Sequence, residues 1–233
     1  MAKQTAFPGF SRDLIVFFQA LEQHNEKAWF DQHRNEYQTL LMEPAKRFVA
    51  AMGEQLRRMS KDIHAEPRVN GSIMRINRDI RFSNDKRPYK TNLAMMFPEG
   101  PEFDRAQPSL LMQLDSGTLC IGAGLCAFSP QQLEQYRGAV SNPRAGGALK
   151  KAIAQAAEAG FDRLGGKHYK RVPRGFDADH PHAELLKHAG LDVGTQRPLP
   201  KELFTNAAVD YCVGCFQKVR PVQKWLVSAL NGA

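Results

Sequence analysis

The chain has 233 residues, of which 42% are hydrophobic and 24% are charged, and its formal net charge is +8 at pH 7. These values are typical of a globular protein that can bury a sizeable core. No run of about 18 apolar residues occurs and residues 1–8 lack the apolar core of a signal peptide, so the sequence predicts no membrane segment and a cytoplasmic location.

The first part of the chain has the pattern of helices. Ser11 can cap one helix, Asn25 can cap a second, and Pro44 can begin a third. Large apolar residues recur there at helical spacing, as in Leu14, Phe17, Phe18, Leu21, Trp29, Phe30, Phe48, Met52 and Leu56. Such spacing is typical of a core face, so we expect three N-terminal helices that pack through one side.

Residues 75–90 concentrate the charge of the chain. They contain six basic and two acidic side chains, so half of the formal net charge of +8 lies in this segment. Asn70-Gly71 before the segment and Pro88 within it argue against an uninterrupted helix, and we expect a strand that runs into a loop. The alternative is a helix whose one face carries Arg75, Arg78, Asp79 and Phe82.

The predicted strand has one apolar and one charged face, because side chains alternate along a strand. The apolar face would carry Met74, Ile76, Arg78, Ile80 and Phe82, and the charged face Arg75, Asn77, Asp79 and Arg81. Arg78 would then lie alone among apolar groups, where a guanidinium needs a carboxylate partner or an anionic ligand. On the other face, Asp79 can orient Arg75 and Arg81 toward a phosphate or carboxylate.

Three short apolar runs follow, separated by turn residues. They cover residues 93–97, 110–114 and 119–126, and we predict antiparallel strands, the last two joined by a tight turn. Gly122-Ala123-Gly124 formally begins a dinucleotide-binding fingerprint, but no helix is predicted to open there and positions 140–150 contain no acidic residue. We therefore expect a backbone or ligand to approach these glycines closely, and we expect no cofactor.

The C-terminal part again has helical patterns. Ser129 begins a helix with a capping box, and Asn142-Pro143 begins another that ends at Gly160. Pro221 is expected to restart the last helix. These helices are interpreted as scaffold that covers a sheet.

Three other segments contain groups able to bind ions. Residues 177–188 combine carboxylates with histidines, but their spacing matches no defined metal site. Cys212 and Cys215 lie inside a helical pattern, where we expect buried thiols and neither a redox pair nor zinc ligands. We therefore expect no metal. Residues 167–174 form a second basic patch around Tyr169, and such cations are most often solvated.

Together the elements predict an α+β fold with N-terminal helices, a central mainly antiparallel sheet and C-terminal helices. The length fits a single domain, which we expect to cover residues 1–233.

The charged segment resembles the signature of a known family. Its run R-x-x-R-D-x-R-F, followed by D-K-x-x-Y, is similar to that of the bacterial domain of unknown function 2461 family. The residues that carry the resemblance are Arg75, Arg78, Asp79, Arg81, Phe82, Asp85, Lys86 and Tyr89. The similarity extends over most of the chain, and a length of about 230 residues also fits the family. The resemblance implies no activity, because the family has no assigned one.

We expect a cytoplasmic enzyme or binding protein for a small anionic ligand that bears phosphate or carboxylate. In this hypothesis the ligand-binding residues are Arg75, Arg78, Arg81, Lys86, Tyr89 and Lys90. Asp79 would orient the arginines or act as a catalytic base. Two alternatives stay open: a nucleic-acid-binding module, which is possible but not favoured, and a structural or interaction protein whose charges form an internal ion-pair network.

Overall fold

The computed structural model describes residues 7–231. The helices are α1 (Asp13–Gln23), α2 (Lys27–Gln32), α3 (Arg34–Glu36), α4 (Glu43–Met59), α5 (Pro130–Ser141), α6 (Pro143–Glu158), α7 (Ala183–Leu186) and α8 (Ala208–Asn231). A π-helical turn covers Tyr37–Met42, and a 3-10 turn covers Lys201–Phe204. The strands are β1 (Leu93–Pro98), β2 (Ser109–Leu114), β3 (Thr118–Leu125), β4 (Arg163–Lys167) and β5 (His188–Pro198).

The strands form one antiparallel sheet in the order β1-β2-β3-β5-β4. Helices precede and follow it in the chain, which confirms the predicted α+β class. Strands β1 to β3 lie where the apolar runs predicted them. The turn between β2 and β3 is held by Asp115, whose Oδ1 accepts hydrogen bonds from the amides of Gly117 and Thr118 at 2.8 and 2.7 Å. Strands β4 and β5 were not predicted. The adjacent glycines Gly165 and Gly166 of β4 have low strand propensity, and β5 also contains two glycines, Gly190 and Gly194.

The residues group into two compact units. Within the described residues, unit 1 comprises residues 7–97, Met112–Cys120 and Arg197–Val213, and unit 2 comprises Pro98–Leu111, Ile121–Gln196 and residues 214–231. Unit 1 has a core of fully buried apolar side chains that includes Phe18, Phe48 and Met52. Unit 2 has its own, which includes Tyr136, Phe161 and Phe216.

The N-terminal helices lie where the apolar pattern predicted them, but neither predicted cap is the N-cap of its helix. Ser11 is not the N-cap of α1, which is Arg12 without a side-chain cap, but Ser11 Oγ accepts a hydrogen bond from the Asp13 amide at 3.1 Å just before the helix. Asn25 does not cap α2, whose N-cap is Glu26 without a side-chain hydrogen bond. The reason is that the Asn25 amide is hydrogen-bonded to the backbone of Tyr89.

The charged segment is not a regular strand, which corrects the prediction. Residues 74–92 make a single isolated bridge, between Asn77 and Tyr89, and otherwise have irregular backbone. The predicted alternation holds at Ile76, which is buried, but fails at Phe82, which is 94% exposed. A turn at Arg81 and Phe82 changes the direction of the chain, so Phe82 no longer shares a face with Ile76.

A neighbouring backbone approaches the glycines of β3 closely. The sequence analysis had left open whether a backbone or a ligand would do so. A Cβ on Gly122 would lie 2.1 Å from the carbonyl oxygen of Val193, and one on Gly124 would lie 2.2 Å from that of Leu191. These positions therefore admit no side chain without a shift of β5. They lie inside a strand and not before a helix, which agrees with the rejection of the dinucleotide fingerprint.

Helix α8 continues through Pro221, so the predicted restart at this residue is wrong. Proline removes one backbone hydrogen bond, and the helix nevertheless continues, with Val219 and Val222 fully buried on either side of Pro221. Cys212 and Cys215 lie in the same helix and are buried, as expected. Among the described helices, α8 included, none combines the length and apolar character needed to cross a membrane.

Unit 2 contains a buried ion pair that the sequence analysis did not find. Arg220 donates from Nη2 to Oε1 of Glu99 at 2.6 Å and from Nη1 to Oε2 of the same carboxylate. Arg220 Nη1 also donates to Oε1 of Gln223 at 2.9 Å. All three residues are buried. The two charges neutralise each other inside the unit, and either one alone would be strongly unfavourable there.

Candidate functional site

The charged segment folds back on itself within unit 1. The Arg78 amide donates to the Pro88 carbonyl at 2.8 Å, and the Lys90 amide donates to the Ile76 carbonyl at 2.8 Å. These two bonds bring residues 76–78 beside residues 88–90 and make the residues between them a loop. The loop contains most of the charges that the sequence pointed to.

The base of this loop is attached to the N-terminal helices by Asn25. Its Nδ2 donates to the Tyr89 carbonyl and its Oδ1 accepts from the Tyr89 amide, both at 3.0 Å. The Tyr89 ring stacks on Phe30 with centroids 4.2 Å apart and an interplanar angle of 22°. Two hydrogen bonds and an aromatic stack thus fix the position of Tyr89 and of the chain next to it.

Asp85 is the centre of an ion-pair cluster in the loop. Arg78 Nη1 donates to its Oδ2 at 2.5 Å, and Arg87 donates from Nε and Nη2 at 3.0 and 2.8 Å. The hydrogen bonds from Arg87, followed by that from Arg78, hold the pKa of the Asp85 carboxyl well below its ordinary value. Arg78 therefore has the carboxylate partner that its place among apolar residues required.

A second ion pair joins Arg81 to Asp79. Arg81 donates from Nε to Oδ1 at 3.0 Å and from Nη2 to Oδ2 at 2.7 Å. This bidentate hydrogen bonding lowers the pKa of the Asp79 carboxyl, which makes it a weaker base than an ordinary aspartate. Arg75 makes no hydrogen bond or ion pair with any residue in the described range 7–231, and its charge is a minor contributor to the same lowered pKa.

A small polar cavity of about 190 Å³ lies beside the Asp85 cluster. Its lining consists of Asn25, Arg78, Asp85, Arg87, Tyr89, Lys90, Thr91 and Asn92. Of the residues expected to bind a ligand, the cavity brings together Arg78, Tyr89 and Lys90. Arg75, Asp79, Arg81 and Lys86 do not line it, and Lys86 Nζ instead donates to the Ile80 carbonyl at 3.1 Å.

Two groups at the cavity have unused hydrogen-bonding capacity. Arg78 is 25% exposed at its side chain, and its Nε and Nη2 donate to no residue within 7–231. The side-chain oxygen of Asn92 is buried without a hydrogen-bond partner. A buried polar atom without a hydrogen-bond partner destabilises the folded state. A bound group that accepts from Arg78 and donates to the Asn92 oxygen would therefore be stabilising.

Asn25, Arg87 and Asn92 line the cavity but were missing from the expected set. Arg87 lies inside the charged segment and was recognisable from its charge. Asn25 precedes a helix and looked like a cap, and the contact that defines its position involves a residue 64 positions away. Asn92 follows the segment and has no distinguishing pattern of its own.

The described residues contain no group of three or more histidine, cysteine or acidic side chains placed to hold a metal ion. The acidic and histidine-rich stretch at residues 177–188 is used differently. His180 Nε2 contacts the Ser141 carbonyl oxygen at 3.2 Å, while its Nδ1 accepts from the His182 amide at 3.0 Å. Both ring nitrogens of His180 therefore have protein partners.

Comparison with protein families identifies a match over most of the chain. A family model described as "Conserved hypothetical protein (DUF2461)" matches residues 13–225, which include the charged segment and the cavity lining. No curated protein matches the chain.

Proposed function

The chain belongs to the DUF2461 family of conserved hypothetical proteins, and from this premise we propose that it binds a small oxyanion, a phosphate or a carboxylate group, in the cavity beside Asp85. The ligand contacts would come from Arg78, Arg87 and Lys90, with Asn25 and Asn92 as neutral partners. This set keeps two of the residues expected from the sequence, Arg78 and Lys90, and replaces the others. We place the function in the cytoplasm, as the sequence predicts.

The observation that supports the proposal is the state of Arg78. Only its Nη1 is used on Asp85, while Nε and Nη2 lack a partner among the described residues and the side chain lines the cavity. Arg87 and Lys90 line the same cavity, so three cations face a single carboxylate there. The local excess of positive charge favours an anion, and fixed guanidinium groups suit the oxygen geometry of phosphate and carboxylate.

The size of the cavity limits the ligand. Pockets for drug-sized molecules usually span about 300–1,000 Å³, and this cavity has about 190 Å³. It can hold an oxyanion head group, with the remainder of a larger metabolite lying outside. We propose binding without assigning a reaction, because Asp79 does not line the cavity and its lowered pKa makes it a poor general base.

A thermal-shift series tests the proposal. Ligands that bind only the folded state raise its stability by about 2.7 kcal/mol at a concentration of a hundred times Kd. We expect inorganic phosphate or at least one phosphorylated or carboxylated metabolite to stabilise the wild type. Lys90→Gln should abolish the shift, whereas Arg75→Gln, which removes the same charge outside the cavity, should retain it. If no anion stabilises the wild type, or if Lys90→Gln and Arg87→Gln both retain the shift, the loop is an internal ion-pair network.

A second candidate function, nucleic-acid binding, is favoured by Phe82. This aromatic side chain is 94% exposed, and Arg81 Cζ lies 5.8 Å from the centre of its ring. An exposed aromatic ring beside cations can stack with a base. We rank this candidate second because Asp79 and Asp85 already neutralise arginines of the same loop.

Salt dependence separates the two candidates. Binding through phosphate contacts weakens with a log–log slope of several units as salt rises. We expect no binding of a single-stranded oligonucleotide at physiological ionic strength. Micromolar, salt-sensitive binding that is lost in Phe82→Ala and in Lys86→Gln would reverse the ranking.

A further inference from the structure

Arg137 of α5 has buried hydrogen-bond donors that nothing in the described chain satisfies. Its Nε and Nη2 atoms are both buried, and neither has a hydrogen-bond partner among residues 7–231. The guanidinium carbon lies 5.0 Å from the centre of the Tyr169 ring. The guanidinium lies over the face of the Tyr169 ring, and this contact gives Nε and Nη2 no hydrogen-bond acceptor. Burial of a cation in this condition is unfavourable and calls for an acceptor.

In two other arginines of this protein, the Nε and Nη2 atoms donate to a carboxylate. Nε and Nη2 lie on one edge of a guanidinium and donate in parallel to two oxygens. Arg81 uses this edge on Oδ1 and Oδ2 of Asp79 at 3.0 and 2.7 Å, and Arg87 uses it on Oδ1 and Oδ2 of Asp85 at 3.1 and 2.8 Å. In both cases the acceptor is a carboxylate. The Arg137 edge is therefore suited to two oxygens of one anionic group.

The segment that contains Tyr169 supplies cations and no carboxylate. Residues 168–176 include Lys170, Arg171 and Arg174, all exposed and none in an ion pair with a described residue. The acidic residue at α7, Glu184, is paired with Lys167 and Lys187. No described residue forms an ion pair with Arg137, and the segment that contributes Tyr169 carries three cations and no carboxylate.

We propose that Arg137 anchors an oxyanion site in unit 2, completed by residues 168–174, for a phosphate or carboxylate group. Tyr169 is the cover of this site: its side chain is 37% exposed and lies against the guanidinium. The Tyr169 amide donates to the Lys187 carbonyl at 3.0 Å, which holds its backbone, and in this proposal the partly exposed side chain rotates away when the ligand binds. Rotation exposes Nε and Nη2 to the ligand. The inference concerns unit 2 alone and does not rest on the function proposed above.

The test is an NMR titration of the arginine Nε–Hε signals of the full chain with inorganic phosphate and, separately, with citrate. We expect the Arg137 signal to shift saturably with at least one of the two probes, which also distinguishes phosphate from carboxylate chemistry. Arg137→Lys keeps the charge and loses the two-nitrogen edge. Its affinity for the responding probe, measured for all variants and the wild type by isothermal titration calorimetry, should be weaker by about tenfold or more, since one charge-assisted hydrogen bond is worth roughly that factor. Arg144→Lys on α6, an exposed matched control, should bind as the wild type does.

Additional variants keep the test decisive if Arg137→Lys does not fold. Lys170→Gln combined with Arg171→Gln changes only exposed side chains and should weaken binding several-fold, whereas Tyr169→Ala should bind at least as tightly as the wild type because the cover is gone. The proposal is overturned if the Arg137 signal does not respond to either probe, or if Lys170→Gln with Arg171→Gln leaves the affinity unchanged. It is equally overturned if binding is indistinguishable between Arg137→Lys and Arg144→Lys.

Discussion

Asn25 and Tyr89, 64 positions apart in the chain, exchange two hydrogen bonds of 3.0 Å in which one amide side chain satisfies both backbone groups of one residue. Tyr89 is buried, so removal of the amide leaves its N–H and C=O without partners. We expect Asn25→Ala to lower the free energy of unfolding by about 1–3 kcal/mol. Urea denaturation measures this loss. Asn35→Ala on α3, where the side chain is exposed, should change stability little, and equal effects of the two variants would contradict the role given to Asn25.

Truncation of Phe30 to alanine should lower the free energy of unfolding strongly, whereas truncation of Phe82 should hardly change it. Phe30 is buried and stacked on Tyr89, so Phe30→Ala should cost about 3–5 kcal/mol, as is typical for a buried phenylalanine. Phe82 is almost fully exposed, and Phe82→Ala should stay within about 0.5 kcal/mol of the wild type. Chemical denaturation of both variants decides the matter. A large loss for Phe82→Ala would mean that its ring packs in the core, as the strand hypothesis had required.

Phe82 and Asn25 show how much of the fold and the site could be predicted from the sequence. Apolar spacing predicted the N-terminal helices and strands β1 to β3, because local patterns reflect which face is buried. Apolar spacing failed at Phe82, because a turn interrupts the strand-like alternation there and the apolar pattern does not reveal the turn. Asn25 was placed at a helix start for a good local reason, but its actual contacts depend on a residue far along the chain. The cavity could not be predicted for the same reason, since its lining comes from both segments.

Removal of one charge of the buried Glu99–Arg220 pair should destabilise the protein strongly, whereas replacement of both charges by apolar side chains should destabilise it much less. Arg220→Met leaves the Glu99 carboxylate buried without its partner, and we expect a loss of about 3–5 kcal/mol. The double variant Glu99→Leu with Arg220→Met removes both charges and should recover much of that loss. Denaturant unfolding of the single and double variants measures the difference. If the double variant is as unstable as the sum of its single variants, the pair is not coupled as the structure indicates.

The lowered pKa of the Asp85 carboxyl predicts that the stability of the protein depends on pH in the acid range. Its carboxyl pKa is lower in the folded state than the ordinary 3.8, so the charged form is stabilised by folding. The resulting contribution to stability is complete above about pH 4 and is lost as the pH falls below that value toward the folded-state pKa. An NMR titration of the Asp85 carboxyl carbon should have its midpoint below 3.8. Asp85→Asn should remove this acid-sensitive part, and a midpoint at or above 3.8 would show that Arg87 and Arg78 do not hold the carboxylate in solution.

The central claim is that Arg78 and Arg87 contact an oxyanion while Arg75 and Arg81 do not. NMR observation of the arginine Nε–Hε signals of the wild type during a titration with inorganic phosphate tests it most directly, because all four arginines are followed in one sample. The account predicts saturable shifts of the Arg78 and Arg87 signals, with those of Arg75 and Arg81 unchanged apart from the general effect of salt. Shifts confined to Arg75 and Arg81, or no saturable shift at Arg78, would contradict it.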